Sequence, residues 1–221
     1  MTRKHSQNEL VTRCYVTQFR ASEKEDERGV IEGTPIVFNQ DARMRDWAGE
    51  YIERISPEAL KKTDMKDVRL FVNHDTDKIA LARSKNGKGT MSLEVGDDGV
   101  YMRASLDVDN NAEARALYSA VQRGDMDGMS FMFRIGGEEW EDLESECPVR
   151  TITDISIIHE VSVVNFPAYP QTSVNARSSE ETGYSPLEEA RRAHAEETAR
   201  TVGKDTVELE RLKNDNIMRL I

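Results

Sequence analysis

The stretch Gly124-Asp125-Met126-Asp127-Gly128-Met129-Ser130-Phe131-Met132-Phe133 reads as the end of a helix, a tight turn and the start of a strand. Upstream, residues 111–123 carry Ala114, Leu117, Tyr118 and Val121 at the spacing that lines one face of an α-helix. Gly124 stands at the C-terminal cap position, where a left-handed backbone closes a helix without steric cost. Asp127-Gly128 supplies turn chemistry. Met129, Phe131 and Phe133 then alternate with Ser130 and Met132, and this period of two puts successive strand side chains on opposite faces. One face is therefore large and apolar, and Ser130 lies on the other. A hydroxyl fixed on a rigid strand just after a turn is a candidate nucleophile. The commoner role of a strand serine is to hydrogen-bond or fill space.

Outward from this stretch the chain is rich in strand patterns. Residues 11–19, 30–39, 51–55, 68–72, 79–83, 90–95 and 99–106 read as extended, and 152–166 is the longest β-like run. Gly33 and Pro35 inside the second of these predict a bulge or an edge position. Ser56-Pro57 reads as an N-cap followed by a first helical residue. Between the strand of Ser130 and the long run, Glu138, Glu139, Glu141, Asp142, Glu144 and Glu146 predict an exposed hairpin tip or loop over 136–147. Pro167 and Pro170 end the regular pattern, and 178–183 has linker composition. From Ser185-Pro186 the pattern becomes helical and rich in Ala, Glu and Arg, with a second helical stretch over 207–221. The expected organisation is a core over 1–177 and a linker with a helical tail over 178–221 that does not share the core.

The whole chain has 221 residues, 30 Lys and Arg against 41 Asp and Glu, and a net charge of -11. That acidity argues against a general nucleic-acid surface. No apolar run reaches membrane-spanning length, and Met1 to Leu10 has no apolar signal core. Cys14 and Cys147 are far apart and without metal-type spacing, as expected of reduced thiols in an intracellular protein. No phosphate-cradling loop or dinucleotide fingerprint is present, so no cofactor is expected. His74, Asp75 and Asp77 lack a recognisable metal scaffold, and Asp125-Met126-Asp127-Gly128 lacks the later acidic ligand of a calcium loop.

Four histidines narrow the search for a base. His5 and His194 lie in polar segments, while His74 follows the apolar run Leu70-Phe71-Val72. In the long strand, alternation puts His159 with Ile155, Ile157, Val161 and Val163, and Glu160 with Ser156, Ile158, Ser162 and Val164. Glu160 is thus the more natural site residue and His159 a packed histidine, unless a bulge reverses the phase. A serine, an imidazole and a carboxylate are what acyl transfer at neutral pH requires. Backbone N–H groups near Ser130, with Arg83 and Arg134, are candidate supports for a developing oxyanion.

Five segments in order, 33–39 (Gly-Thr-Pro-Ile-Val-Phe-Asn), 51–60 (Tyr-Ile-Glu-Arg-Ile-Ser-Pro-Glu-Ala-Leu), 70–75 (Leu-Phe-Val-Asn-His-Asp), 128–131 (Gly-Met-Ser-Phe) and 160–170 (Glu-Val-Ser-Val-Val-Asn-Phe-Pro-Ala-Tyr-Pro), resemble the tailed-phage prohead (capsid maturation) protease family. The resemblance covers roughly residues 10 to 175. It implies a mainly β, α+β fold with surrounding helices, built on a closed antiparallel β-barrel core like that of the herpesvirus assemblins. It also implies a serine endopeptidase with Ser130 as nucleophile, His74 as base and Glu160 as third member. His159 stays open for that last place, because the herpesvirus relatives use a second histidine. The implied substrates are the scaffolding segment of the major capsid protein and the protease itself, inside a procapsid in the host cytoplasm. The portal and a second copy of the chain are further implied partners, and the tail becomes a scaffold-binding or encapsidation segment. One departure is Leu81-Ala82-Arg83, where such proteins often carry Leu-Gly-Arg. The alternative from another class is a non-catalytic capsid-assembly or scaffold-interaction module.

Overall fold

A computed structural model of the chain describes residues 2–16, 19–22, 24, 27–165, 174–175 and 184–201. In chain order the strands are β1 (Thr2–Val16), β2 (Arg20–Ala21), β3 (Val30–Val37), β4 (Ala42–Asp46), β5 (Gly49–Ile55), β6 (Asp67–Val72), β7 (Ala82–Lys85), β8 (Lys88–Gly89), β9 (Met91–Val95), β10 (Gly99–Ser105), β11 (Gly128–Glu141), β12 (Val149–Val164) and β13 (Val174–Asn175). Helix α1 spans Ala112–Gln122, and the described part of a second helix, α2, spans 186–201. The expected extension over 207–221 and the linker over 178–183 lie outside the described residues.

The helix and turn that open the sequence reading form as its periodicity requires. Asn111 caps α1 by accepting from the N–H groups of Glu113 and Ala114, and the buried residues are Ala114, Leu117, Tyr118 and Val121. Gly124 closes the helix at φ 74°, a left-handed backbone that favours glycine. Met129, Phe131 and Phe133 then enter the core with no exposed surface.

Two sheets pack around that core. Strands β2, β3, β10 and β9 form one, and the other nine form a mixed sheet in which β12 is the hub. β12 pairs antiparallel with β11 along its length, and parallel with β5 at its start and β6 at its end. β11 in turn pairs antiparallel with β1. Among the described residues the sheets do not close into a barrel. The expected closed antiparallel barrel is therefore corrected to a mainly β, α+β fold with a mixed, open sheet.

Tertiary partners overrode local composition elsewhere too. The acidic stretch is strand in its first half, where β11 runs on to Glu141 and Glu138 is buried with its carboxylate on Arg150 Nε at 2.7 Å; its second half, 142–147, is the expected hairpin tip between β11 and β12. The expected extended run over 79–83 is irregular up to Leu81, where β7 has not yet begun, leaving Ile79 83% exposed. The predicted bulge in β3 is present: Thr34 and Pro35 oppose the single residue Tyr101, between the pairs Gly33–Met102 and Ile36–Val100. Ser56 caps a short 3-10 turn over Pro57–Leu60, as its sequence predicts.

Residues Leu187 and Ala190 of α2 bury themselves against Met44, Tyr51, Trp140 and Leu143, in a cluster separate from the main core. The first turns of the tail are thus docked on the protein body while remaining outside its principal core.

Candidate active site

β6, β12 and β11 lie side by side, and that adjacency assembles the site. In the ladders Ser162 stands opposite Ser130, Glu160 opposite Met132, and Ser162 also neighbours Phe71. After β6 the chain turns through Asn73 and His74 at φ 53° and 60°. Such a backbone costs a residue with a Cβ on the order of 1–3 kcal/mol, so the surroundings must hold it. Here β12 does so. Asn73 N–H donates to the Val163 carbonyl at 2.9 Å, Asn165 N–H donates to Asn73 Oδ1 at 3.0 Å, and His74 N–H donates to Ser162 Oγ at 3.1 Å.

The turn carries the His74 ring between the two other predicted residues. Nδ1 lies 2.6 Å from Glu160 Oε1 and Nε2 lies 2.7 Å from Ser130 Oγ. Ser162 Oγ donates to the second Glu160 oxygen at 2.6 Å. All three residues named from the sequence therefore meet in one chain of hydrogen bonds.

Ser130 has a second acceptor within reach, the Arg13 carbonyl at 2.9 Å. Its neighbour Cys14 stands opposite Ser130 in the β1–β11 register and favours the charged form of His74. Burial of the imidazole disfavours its charge, but Cys14, the Glu160 hydrogen bond and the Glu160 charge offset this and push its pKa up to about 9. The proton arrangement follows. With His74 charged, both ring nitrogens donate, and the Ser130 proton turns to the Arg13 carbonyl. With His74 neutral and Nδ1–H held by Glu160, Nε2 accepts the Ser130 proton. Only the second arrangement activates the hydroxyl.

Ser130 is not on a solvent-facing side, as its strand face alone suggested. It has 0% exposure, with the Arg13–Cys14 segment of β1 alongside it in the sheet, while the His74 side chain keeps 22%. Because β11 is paired on both edges at Ser130, with Cys14 and Ser162, the ladders engage the backbone N–H groups beside it. Arg83 is held by both Asp67 oxygens at 2.6 and 2.7 Å. Ala82, the departure from the Leu-Gly-Arg pattern, is buried in the main core. His159 is the extra residue at a bulge, between the pairs Met132–Glu160 and Phe133–Ile158. It is half-buried, its pKa lowered by burial and then by the Arg134 charge, and it is Glu160 that bonds His74.

Three residues at this site escaped sequence reasoning. Ser162 had a signal, since it lies two residues from Glu160 on the same strand face. Arg13 and Cys14 had none, because their place depends on a pairing across more than a hundred residues. Beneath them Arg13 joins a buried charge network. Its guanidinium pairs with Glu53, Arg150 Nη1 donates to Glu53 at 3.0 Å, Arg150 Nε donates to Glu138, and Trp140 Nε1 donates to Glu138 at 2.9 Å. Among the described residues no group of three His, Cys, Asp or Glu side chains gathers to hold a metal ion.

Comparison with known proteins points the same way. A family model described as caudovirus prohead serine protease matches residues 16–185. The prohead protease of Enterobacteria phage HK97 is 28% identical over 155 residues, which are 69% of this chain and 61% of that protein. The chain thus spans less than two-thirds of the length of that relative. No solved structure matches the chain.

Proposed function

Because the chain belongs to the caudovirus prohead serine protease family, we propose that it is a serine endopeptidase that matures a procapsid. Its substrates in this reading are the scaffolding segment of the major capsid protein and the chain itself. The observation that carries the reading is the unbroken relay from Ser130 Oγ through the His74 ring to Glu160.

In the proposed reaction His74 Nε2 takes the Ser130 proton as Oγ adds to the peptide carbonyl. Glu160 holds Nδ1–H, fixing the tautomer and stabilising the imidazolium as it forms. That proton then passes to the departing amine, leaving an acyl-enzyme that water hydrolyses by the same route in reverse. A positioned base of this kind contributes about a hundred- to ten-thousandfold in rate.

The same reading places the protein inside the procapsid, in the host cytoplasm. The segment 178–221 is proposed as a scaffold-binding or encapsidation tail, with the portal and a second copy as further partners. Coexpression of the wild type and Ser130→Ala with the capsid protein, followed by intact mass measurement, tests the activity. Cleaved capsid protein and shortened protease with the wild type alone are expected. Full processing by Ser130→Ala would favour the non-catalytic assembly role.

A further inference from the structure

We infer that Ser162 is a positioning residue that locks the base and its carboxylate into one unit. The inference rests on the proposed roles of Ser130, His74 and Glu160. A buried hydroxyl is costly unless bonded, and Ser162, with 0% exposure, makes two bonds. It donates to Glu160 Oε2 at 2.6 Å and accepts from the His74 main-chain N–H at 3.1 Å. Chemistry sets the directions. A main-chain N–H can only donate, so the single Ser162 proton is left for the carboxylate, which offers acceptors.

One oxygen atom therefore ties the main chain of the base to the side chain of its partner. Glu160 has both oxygens held, one by the His74 ring and one by Ser162, so its carboxylate plane is set from two sides. His74 in turn sits in a left-handed backbone at φ 60°, and its N–H is anchored by the same hydroxyl. Without Ser162 Oγ the turn loses an anchor and the carboxylate can rotate. Misplacement of a reacting group by about 1 Å costs on the order of a hundredfold. Ser162 is itself no rival nucleophile, because its proton faces Glu160 and its strand partner Ser130 takes the His74 ring nitrogen.

The test compares Ser162→Val with Ser162→Thr, two side chains of nearly equal shape of which only Thr keeps the hydroxyl. Ser162→Ala serves as a smaller deletion of the hydroxyl should Val fail to fold. The first readout is labelling of the full chain by a fluorophosphonate, which reports Ser130 reactivity without a known substrate. The second is the His74 Nδ1–H resonance in histidine-labelled protein, which requires no turnover. Expected are a tenfold or greater loss of labelling rate and a broadened Nδ1–H signal in Val and Ala. Thr should stay within about threefold of the wild type, far short of the hundred- to ten-thousandfold that a positioned base supplies. Equal slowing in Thr and Val, or an unchanged Nδ1–H signal in Val and Ala, overturns the positioning role. No labelling of the wild type, or undiminished labelling of Ser130→Ala, instead defeats the reading of Ser130 on which it rests.

Discussion

At the scale of single residues, the controlling quantity is the protonation of His74. With its pKa pushed up to about 9, the base is charged through neutrality. Activity is therefore expected to rise with pH until about 9, where the neutral ring that accepts the Ser130 proton becomes abundant. Cys14 contributes to that elevation, so Cys14→Ala should move the midpoint of a pH–rate profile downward. An unmoved midpoint would show that Glu160 alone sets it. Stability has the opposite slope. A histidine pKa raised on folding stabilises in full below the ordinary 6.5, and the contribution is lost as pH climbs through about 9. Denaturant titrations at pH 6 and above 9 should differ more for the wild type than for His74→Gln. Glu160→Gln should reduce turnover strongly, whereas His159→Gln should mainly alter stability. The reverse result would reassign the third member.

At the scale of elements, β11 and β12 are bridged by buried charges. Arg150 and Glu53 are 0% exposed, and Arg13 and Glu138 nearly so, which is tolerable only because each is paired. The two arginines hold the Glu53 carboxyl below its ordinary pKa against the opposing effect of burial. Removing one partner of such a pair leaves an uncompensated charge and costs about 3–5 kcal/mol. Glu53→Gln should therefore lower unfolding free energy by about that much in urea titration. A loss under ~1 kcal/mol would mean that water reaches the network. The network also bears on the site, since Arg13 belongs to it through its side chain and faces Ser130 through its carbonyl.

At the scale of the molecule, α2 is seated on the strands that carry this network. Leu187 is fully buried, Ser185 Oγ donates to Asp46 at 2.7 Å and accepts from Glu188 N–H at 3.0 Å, capping the helix in place. Leu187→Asp should release α2: amide exchange over 186–201 should accelerate while the β11–β12 ladder stays protected. Unchanged protection of the helix would mean that the polar contacts, including Arg191 to the carbonyls of Leu143 and Ser145, suffice to hold it. A chain ending at Ala176 should also fail to enter procapsids formed with the capsid protein. Normal packaging would remove the proposed targeting role.

Short-range physics was legible in the residues themselves. The face of α1, the glycine that ends it, the Ser56 cap, the β3 bulge and the apolar side of β11 all follow from periodicity and backbone preference, which act over a few residues. So did the candidacy of Ser130, His74 and Glu160, whose types suit one chemistry and whose segments fall in a recognisable order. What only the tertiary structure decided depends on partners far along the chain. The open mixed sheet, the strand made from the first half of an acidic stretch, the docking of α2 and the pairing of β1 beside Ser130 are of this kind. Alternation along one strand tells which side chains share a face, but not which strand lies alongside or where a bulge shifts the phase. Glu138 reads as exposed until Arg150 reaches it diagonally from β12, and Ser162 reads as filler until the His74 turn arrives above it. Burial of charge and hydroxyl is favourable only with those partners in place.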